Sequence, residues 1–319
     1  MEEPGTGTLA ELGEFGLIER IIDQDSLTDA IVVGPGDDTA VVRMSGEVLI
    51  TTDMLVEGVH FRQDWSSAID VGRRAAAASL ADIAAMGGST RALVVSFGAP
   101  SSTPSAWAVA CAAGIREEAA RAGACVAGGD VVSSPGIVVN VTAIGDAPVG
   151  GAVLRSGAKA GDVLAICGRF GWAAAGLAVL SRGFKSPRVL VDAHRFPEVN
   201  YAAGVVAAKG ASAMIDVSDG LIADAGHIAD ASGVTVDIDA ASWEIPDALS
   251  AAAAAYNVDP RVWMLTGGDD HALLATFSAR KKLPEGFVRI GSVIDRVESA
   301  VLVNGQDFDA GSGYEHFKR

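Results

Sequence analysis

The chain has 319 residues, half of them hydrophobic, and carries 40 acidic against 24 basic side chains, a formal charge of −16. That length accommodates one large or two medium domains with cores of their own, and the charge argues against a nucleic-acid backbone or an anionic membrane as partner. The acidic N-terminus lacks the charged-then-apolar layout of a leader, and no stretch runs through about 18 uncharged apolar residues, so no membrane partner is expected and the cytoplasm is the expected compartment.

Leu12, Phe15, Ile18 and Ile22 recur at helical spacing within 11–22. The stretch VVGPGDDTAVV, residues 32–42, then places Asp37 and Asp38 after a Gly-Pro-Gly turn, between two strand-like runs. An unpaired buried carboxylate is costly, so such a pair must face water or await a cation. VLITTDML (48–55) reads as a strand, and DVGRRAAAASLADIAAMGG (70–88) as an Ala-rich helix stopped by a Gly pair. A strand in RALVVSF (91–97), a helix over 104–123 and strands through CVAGGDVV (125–132) and GIVVNVTAIG (136–145) complete a βαββ-type mixed domain closing near residue 148.

Residues 145–162, GDAPVGGAVLRSGAKAGD, have the small-residue composition of a domain junction. A strand in VLAICG, a helix from Trp172, a helix near 200–210 and the strand SAMIDVSDG running into the helix LIADAGHIADAS follow. Later strands are expected in VTVDID, HALLATF and FVRIGSV, and the Ala run at 251–255 reads as a helix face. The fold class is therefore α/β (α+β), with two mixed domains over 1–148 and 149–319. Cys111, Cys125 and Cys167 are odd in number and widely spaced, which leaves no disulfide framework or CxxC pair and makes them small core residues.

Aspartates recur beside Gly or hydroxyl residues in GPGDD, TTD, LADIAAMGG, AGGDVV, IDVSDG and TGGDD, several at the C-terminal ends of apolar strands, where α/β folds bind ligands. A single Gly-Asp is what any turn wants; the recurrence points to convergence. Converging carboxylates need cations to stay ionised, and hard oxygen donors without Cys select Mg²⁺ or Ca²⁺ over zinc. Mg²⁺ takes one or two protein carboxylates and fills its shell with water and phosphate oxygens, so this many aspartates imply several ions and a polyphosphate. No GxxxxGK[ST] is present, and GPGDDT lacks the third glycine of GxGxxG. Arg155 is either a phosphate contact or a solvated surface residue, and His60, seven residues past Asp53, is either a contact for an anionic acceptor or a structural histidine. No Ser/His/Asp or Cys/His arrangement is assembled, and phosphoryl transfer needs no covalent intermediate.

The ordered set GPGDDTAVV, TTDMLVEGVHF, LADIAAMGG, AGGDVV, LRSGAKAGD, IDVSDGL and GGDDHALL resembles the thiamine-monophosphate kinase family, within the superfamily of ATP-binding aminoimidazole ribonucleotide synthetase-like proteins; the resemblance runs from Phe15 to the closing GYEHF. It implies transfer of the ATP γ-phosphoryl group to thiamine monophosphate, giving thiamine diphosphate and ADP, with several Mg²⁺ ions, in a homodimer whose N-terminal sheets pair. By motif, Asp38, Thr51, Thr52, Asp53, Asp82, Asp130, Asp216 and Asp219 would be metal-site residues. Gly129, Asp130, Arg155 and Ser218 would contact the nucleotide, and His60, Asp269 and Tyr314 the thiamine phosphate; Asp37 would be a supporting neighbour. The family usually shows Gly-Gly-Glu-Asp-Tyr where this chain has GGDDH, so Asp269 is one methylene short and His271 replaces a phenol. A selenophosphate synthase would need a reactive Cys near the N-terminus and a hydrogenase-maturation protein a C-terminal Cys, whereas here the first Cys is Cys111 and the chain closes on HFKR. A non-catalytic metal or nucleotide sensor is the rival from another class.

Overall fold

The structure is a computed structural model that describes residues 7–36 and 38–308. It comprises two compact units, divided at 83/84, 88/89 and 147/148, so that the short stretch Ala84–Gly88 belongs with the later unit. Each holds a sheet of its own, and the chain is a mixed α/β protein with two sheets in two domains.

In the first unit, α1 (Leu9–Ile21) begins with a capping box in which Thr8 accepts from the Glu11 amide and the Glu11 carboxylate accepts from the Thr8 amide at 2.7 Å. Gly13, with φ of 73°, breaks the helical run near its start, so the periodicity over 11–22 corresponds to a kinked helix. Strands β1 (Ile31–Val33) and β2 (Val41–Val42) pair as an antiparallel ribbon across the Gly-Pro-Gly segment. The main sheet is built from β3 (Val48–Val56), β4 (Ser89–Ala99), β5 (Cys125–Ser133) and β6 (Val138–Asp146) in the order β3-β6-β4-β5, with only the β4–β5 pair parallel. Helices α2 (Ala68–Ala85) and α3 (Ser105–Arg121) supply the connections.

This sheet is two-sided in the way strand alternation dictates. Val139, Val141 and Ala143 are fully buried on one face, while Val48, Ile50, Met54 and Val132 are exposed, Ile50 to 67%.

The second unit carries a six-stranded sheet, ordered β12-β9-β11-β7-β10-β8, from β7 (Asp162–Cys167), β8 (Ala211–Val217), β9 (Val234–Ile238), β10 (Ala272–Ser278), β11 (Val288–Asp295) and β12 (Val301–Val303). All pairs are antiparallel except β12 with β9. Both faces are covered, which explains why VLAIC and ALLATF are continuous apolar runs rather than alternating ones. Leu164, Ile166, Ile215 and Leu274 pack with α7 (Leu221–Ser232) on one side. Ala165, Met214, Leu273 and Phe277 pack with α6 (Tyr201–Ala207) on the other. Among the described residues the unit has four further helices, α4 (Trp172–Ser181), α5 (Arg188–Arg195), α8 (Asp247–Tyr256) and α9 (Pro260–Thr266). The Ala run at 251–255 lies in α8, as its composition suggests.

Asp146, at the end of β6, secures one corner of the first unit. Its carboxylate accepts from the Ser45 amide at 2.7 Å, the Ser45 hydroxyl at 2.9 Å and Arg91 Nε at 2.7 Å. Burial alone would raise its pKa, but these donors outweigh it and hold the carboxyl below the ordinary value. A depressed folded-state pKa gives stability that is present above the unfolded-state value and is lost as pH falls through the folded-state one. Asp146→Ala is therefore expected to cost about 2 kcal/mol in urea unfolding at pH 7, with the gap to the parent protein closing in acid below about pH 4; a gap unchanged by acid would show that the charge of Asp146 contributes nothing.

Candidate functional site

Within the first unit the Asp-bearing motifs sort by the pleat of the sheet. Thr51, Thr52 and Asp53 are consecutive on β3, so Thr51 and Asp53 face one side and Thr52 the other. On the covered side, α2 meets β3 through two reciprocal hydrogen bonds. Ser79 Oγ donates to Asp53 Oδ2 at 2.8 Å, and Thr51 Oγ1 donates to Asp82 Oδ2 at 2.5 Å. The three-residue step from Ser79 to Asp82 keeps both on one helix face, opposite the two-residue step from Thr51 to Asp53 on the strand.

The open side holds a different set. Thr52 Oγ1 lies 2.9 Å from Thr142 Oγ1 and 3.2 Å from Asn140 Oδ1. Asp130 stands opposite Ser96 on β4, which in turn stands opposite Asn140, so its carboxylate shares this face. Gly129, one residue earlier, tolerates no side chain, because a Cβ would collide with the Val95 carbonyl oxygen of the parallel neighbour. β5 forms one edge of the sheet, and a cavity of about 530 Å³ beside it is lined by Leu17, Ile18, Ile115, Asp38, Gly129 and Asp130, among others. That volume is within the range of small-molecule pockets. His60, in the turn after β3, accepts the Val56 amide at Nδ1 over 3.0 Å, which puts the hydrogen of the neutral ring on Nε2.

In the second unit the motifs DVSDG and GGDDH, about 50 residues apart, lie side by side. Antiparallel pairing of β8 with β10 sets Asp216 opposite Leu273, and the Asp269 and His271 amides donate to the Ser218 and Val217 carbonyls at 2.8 and 2.9 Å. Gly268 is required here, since a Cβ would strike the Ser218 carbonyl. His271 Nδ1 is 2.8 Å from Asp216 Oδ2, both residues being buried. Asp224, on the first turn of α7, accepts the Asp219 and Gly220 amides at 3.1 Å each and so holds the turn that carries Ser218 and Asp219. Burial, and then the charges of Asp216 and Asp219, push its carboxyl up to about 7 against the effect of those amides. Asp270 ties the same loop to α4, accepting the Ala173 amide at 2.9 Å. Its other oxygen is buried without a hydrogen-bond partner among the described residues, and burial pushes this carboxyl also to about 7.

Arg155 is exposed, and its guanidinium makes no ion pair or hydrogen bond within the described residues, only its carbonyl being used, by Ser232 at 3.2 Å. Tyr314 and Asp37 lie outside the described residues. Ser79, Asp224 and Asp270 were not singled out from sequence. Ser79 had a usable signal, one helical turn before Asp82; Asp224 and Asp270 had none beyond being acidic near a motif.

The donor set fits Mg²⁺. Asp216, Asp219 and Asp224 lie near one another, burial and then the first two charges raising the pKa of the third, and the oxygens on offer are carboxylates and hydroxyls, the ligands that ion prefers. The cysteines are free and buried, and burial pushes the Cys111 thiol up to about 12, far from a thiolate ligand. Among the described residues no three His, Cys, Asp or Glu side chains cluster tightly enough to enclose an ion by themselves. Mg²⁺ does not require it, because water and phosphate oxygens supply most of its shell. Among the described residues no helix is long and apolar enough to cross a membrane.

Comparison with known proteins gives the site its context. The family model described as AIR synthase related protein, N-terminal domain, matches residues 36–147, and that of the corresponding C-terminal domain matches 159–304. The thiamine-monophosphate kinase of Mycobacterium tuberculosis (strain ATCC 25618 / H37Rv) is 48% identical over 313 residues, covering 97% of this chain and 93% of the relative. That of Corynebacterium glutamicum is 38% identical over 325 residues, covering 97% and 95%. A solved structure described as AaThiL complexed with AMPPCP and TMP is 31% identical, with a TM-score of 0.80 over 96% of this chain and 98% of that one. Paired domain matches in the expected order, and identity sustained along nearly the whole length, show that this chain belongs to the thiamine-monophosphate kinase family.

Proposed function

We propose that the chain transfers the γ-phosphoryl group of ATP to the phosphate of thiamine monophosphate, giving thiamine diphosphate and ADP. The observation that carries this reading is the 48% identity, over 97% of the chain, to the M. tuberculosis thiamine-monophosphate kinase. In the first unit Asp38, Thr51, Thr52, Asp53, Asp82 and Asp130 would hold Mg²⁺, and in the second Asp216 and Asp219 would do so. Mg²⁺, when bound, neutralises phosphate oxygens that would otherwise repel one another.

The chain's own groups do the rest. Ser218, Gly129, Asp130 and Arg155 would bind the nucleotide, the uncommitted Arg155 guanidinium offering a planar fork of donors to phosphate oxygens. The cavity beside β5 has the volume and apolar lining to take up a purine. His60, Asp269 and Tyr314 would hold the thiamine phosphate. The domain over 1–148 would be the ATP- and metal-binding and dimerisation domain, and 149–319 the α/β domain that carries Arg155, Asp216, Ser218 and Asp219. The exposed apolar side chains Val48, Ile50 and Met54 on β3, with Val132 on the opposite edge strand β5, support a homodimer in which the first sheets pair. Free, buried cysteines agree with a cytoplasmic location.

Incubation of the purified protein with ATP, Mg²⁺ and thiamine monophosphate is expected to yield thiamine diphosphate, with no product when the metal is chelated. Asp130→Asn should lower kcat about 100-fold or more with the fold retained by circular dichroism, because charge stabilisation in the transition state is lost. Product absent from the complete mixture would favour a sensor over a kinase. Arg155→Ala should raise the KM for ATP more than that for thiamine monophosphate, and the reverse pattern would remove Arg155 from the nucleotide. Ile50→Glu, placing a charge in the proposed dimer face, should shift the sedimenting species from dimer to monomer; an unchanged dimer would move the interface elsewhere.

A further inference from the structure

Ser79 is fully buried on α2, and its Oγ lies 2.8 Å from two acceptors, Asp53 Oδ2 and the Val141 carbonyl oxygen. Val141 is the residue directly opposite Asp53 on β6, so the hydroxyl sits over that cross-strand pair. A serine hydroxyl has one hydrogen to give, and the acceptors compete for it. The carboxylate is the stronger acceptor, because hydrogen bonds to an ionised group are roughly twice as strong as neutral ones. The Thr52 hydroxyl also lies 3.3 Å from the Val141 carbonyl, with Thr142 and Asn140 as nearer partners.

We infer that Ser79 is a positioning residue for the phosphoryl transfer. Its single hydrogen goes to Asp53 Oδ2 and restrains that carboxylate on the covered face of the sheet, leaving Oδ1 to serve as the metal donor. The inference rests on the reading of Asp53 as a metal-site residue. The companion bond from Thr51 to Asp82 holds the helix at the same two-residue step of the strand, so the restraint on Asp53 is set by helix docking and not by the strand alone. Donors of this kind behind a metal ligand are typically worth 10- to 100-fold in metal affinity or activity.

The test is titration of the full chain with Mn²⁺ in the presence of ADP, following free Mn²⁺ by electron paramagnetic resonance, for the parent protein, Ser79→Ala, Asp53→Ala and the double variant. Ser79→Ala is expected to weaken Mn²⁺ binding about 10-fold and to lower kcat while leaving the KM for thiamine monophosphate near its parent value. In the Asp53→Ala background the same substitution should change nothing further. If Ser79→Ala binds Mn²⁺ like the parent while Asp53→Ala does not, the positioning role is overturned and the metal reading of Asp53 stands. Equal losses in both backgrounds would make Ser79 a structural residue acting through Val141, which also overturns the inference. Parent-like binding by Asp53→Ala would remove the metal reading of Asp53 and the inference with it. Should Ser79→Ala fail to fold, Ser79→Cys, close in size and only a weak donor, is read by the same titration.

Discussion

The constraint on which this protein depends is the cost of keeping carboxylates in or near a packed interior. Asp146, at the end of β6, is held by donors, whereas Asp224, on the first turn of α7, is buried and crowded by Asp216 and Asp219. The opposite directions of those two pKa displacements separate two jobs. Three donors on Asp146 outweigh its burial and fasten a corner of the fold. Around Asp224 two amide bonds do not outweigh burial and like charge, while the neighbouring Asp216 is met by His271 at 2.8 Å.

The two sheets serve this constraint in different ways. A sheet covered on both faces, as in the second unit, makes β8 and β10 rigid and continuous, and so fixes where DVSDG and GGDDH emerge relative to one another. The four-stranded sheet is covered on one face only. Its alternation divides neighbouring residues of one motif between an interior side, where Thr51 and Asp53 meet α2, and an open side, where Thr52 and Asp130 stand among exposed apolar side chains.

Much of this was legible in the residues. The Ala-rich α2, the alternating β3 and the apolar β7 and β10 follow from periodicity and composition, and the aspartate motifs stand out against an ordinary turn background. The separation of Thr52 from Thr51 and Asp53 was also there to be read, since a strand has period 2. What was not legible depends on pairings distant in sequence. Helix α5 is only eight residues long, its buried Leu190, Val191 and Ala193 set between Arg188, Asp192 and Arg195, and β12 is three residues long and exists because β9 offers it a parallel edge. The contact of His271 with Asp216 needs the antiparallel register of β8 against β10, which no local pattern specifies.

That register also bears on the two places where GGDDH departs from the family's usual Gly-Gly-Glu-Asp-Tyr. Asp269 and His271 have φ of 66° and 52°, in the left-handed region, and they flank Asp270, which is anchored on the N-terminus of α4. Outside glycine, that region is enriched in Asn, Asp and His, while bulky side chains are strained there. Both departures thus put a residue type that tolerates the left-handed backbone at a position whose φ is positive. The shorter carboxylate and the imidazole are then consistent with a backbone requirement of the loop, met in a way that still places a ring nitrogen 2.8 Å from Asp216. The loop is held by Asp270 on one side and by the Ser218 and Val217 carbonyls on the other, so its conformation is set by packing around it, and side chains at 269 and 271 can vary in length without the loop itself being released.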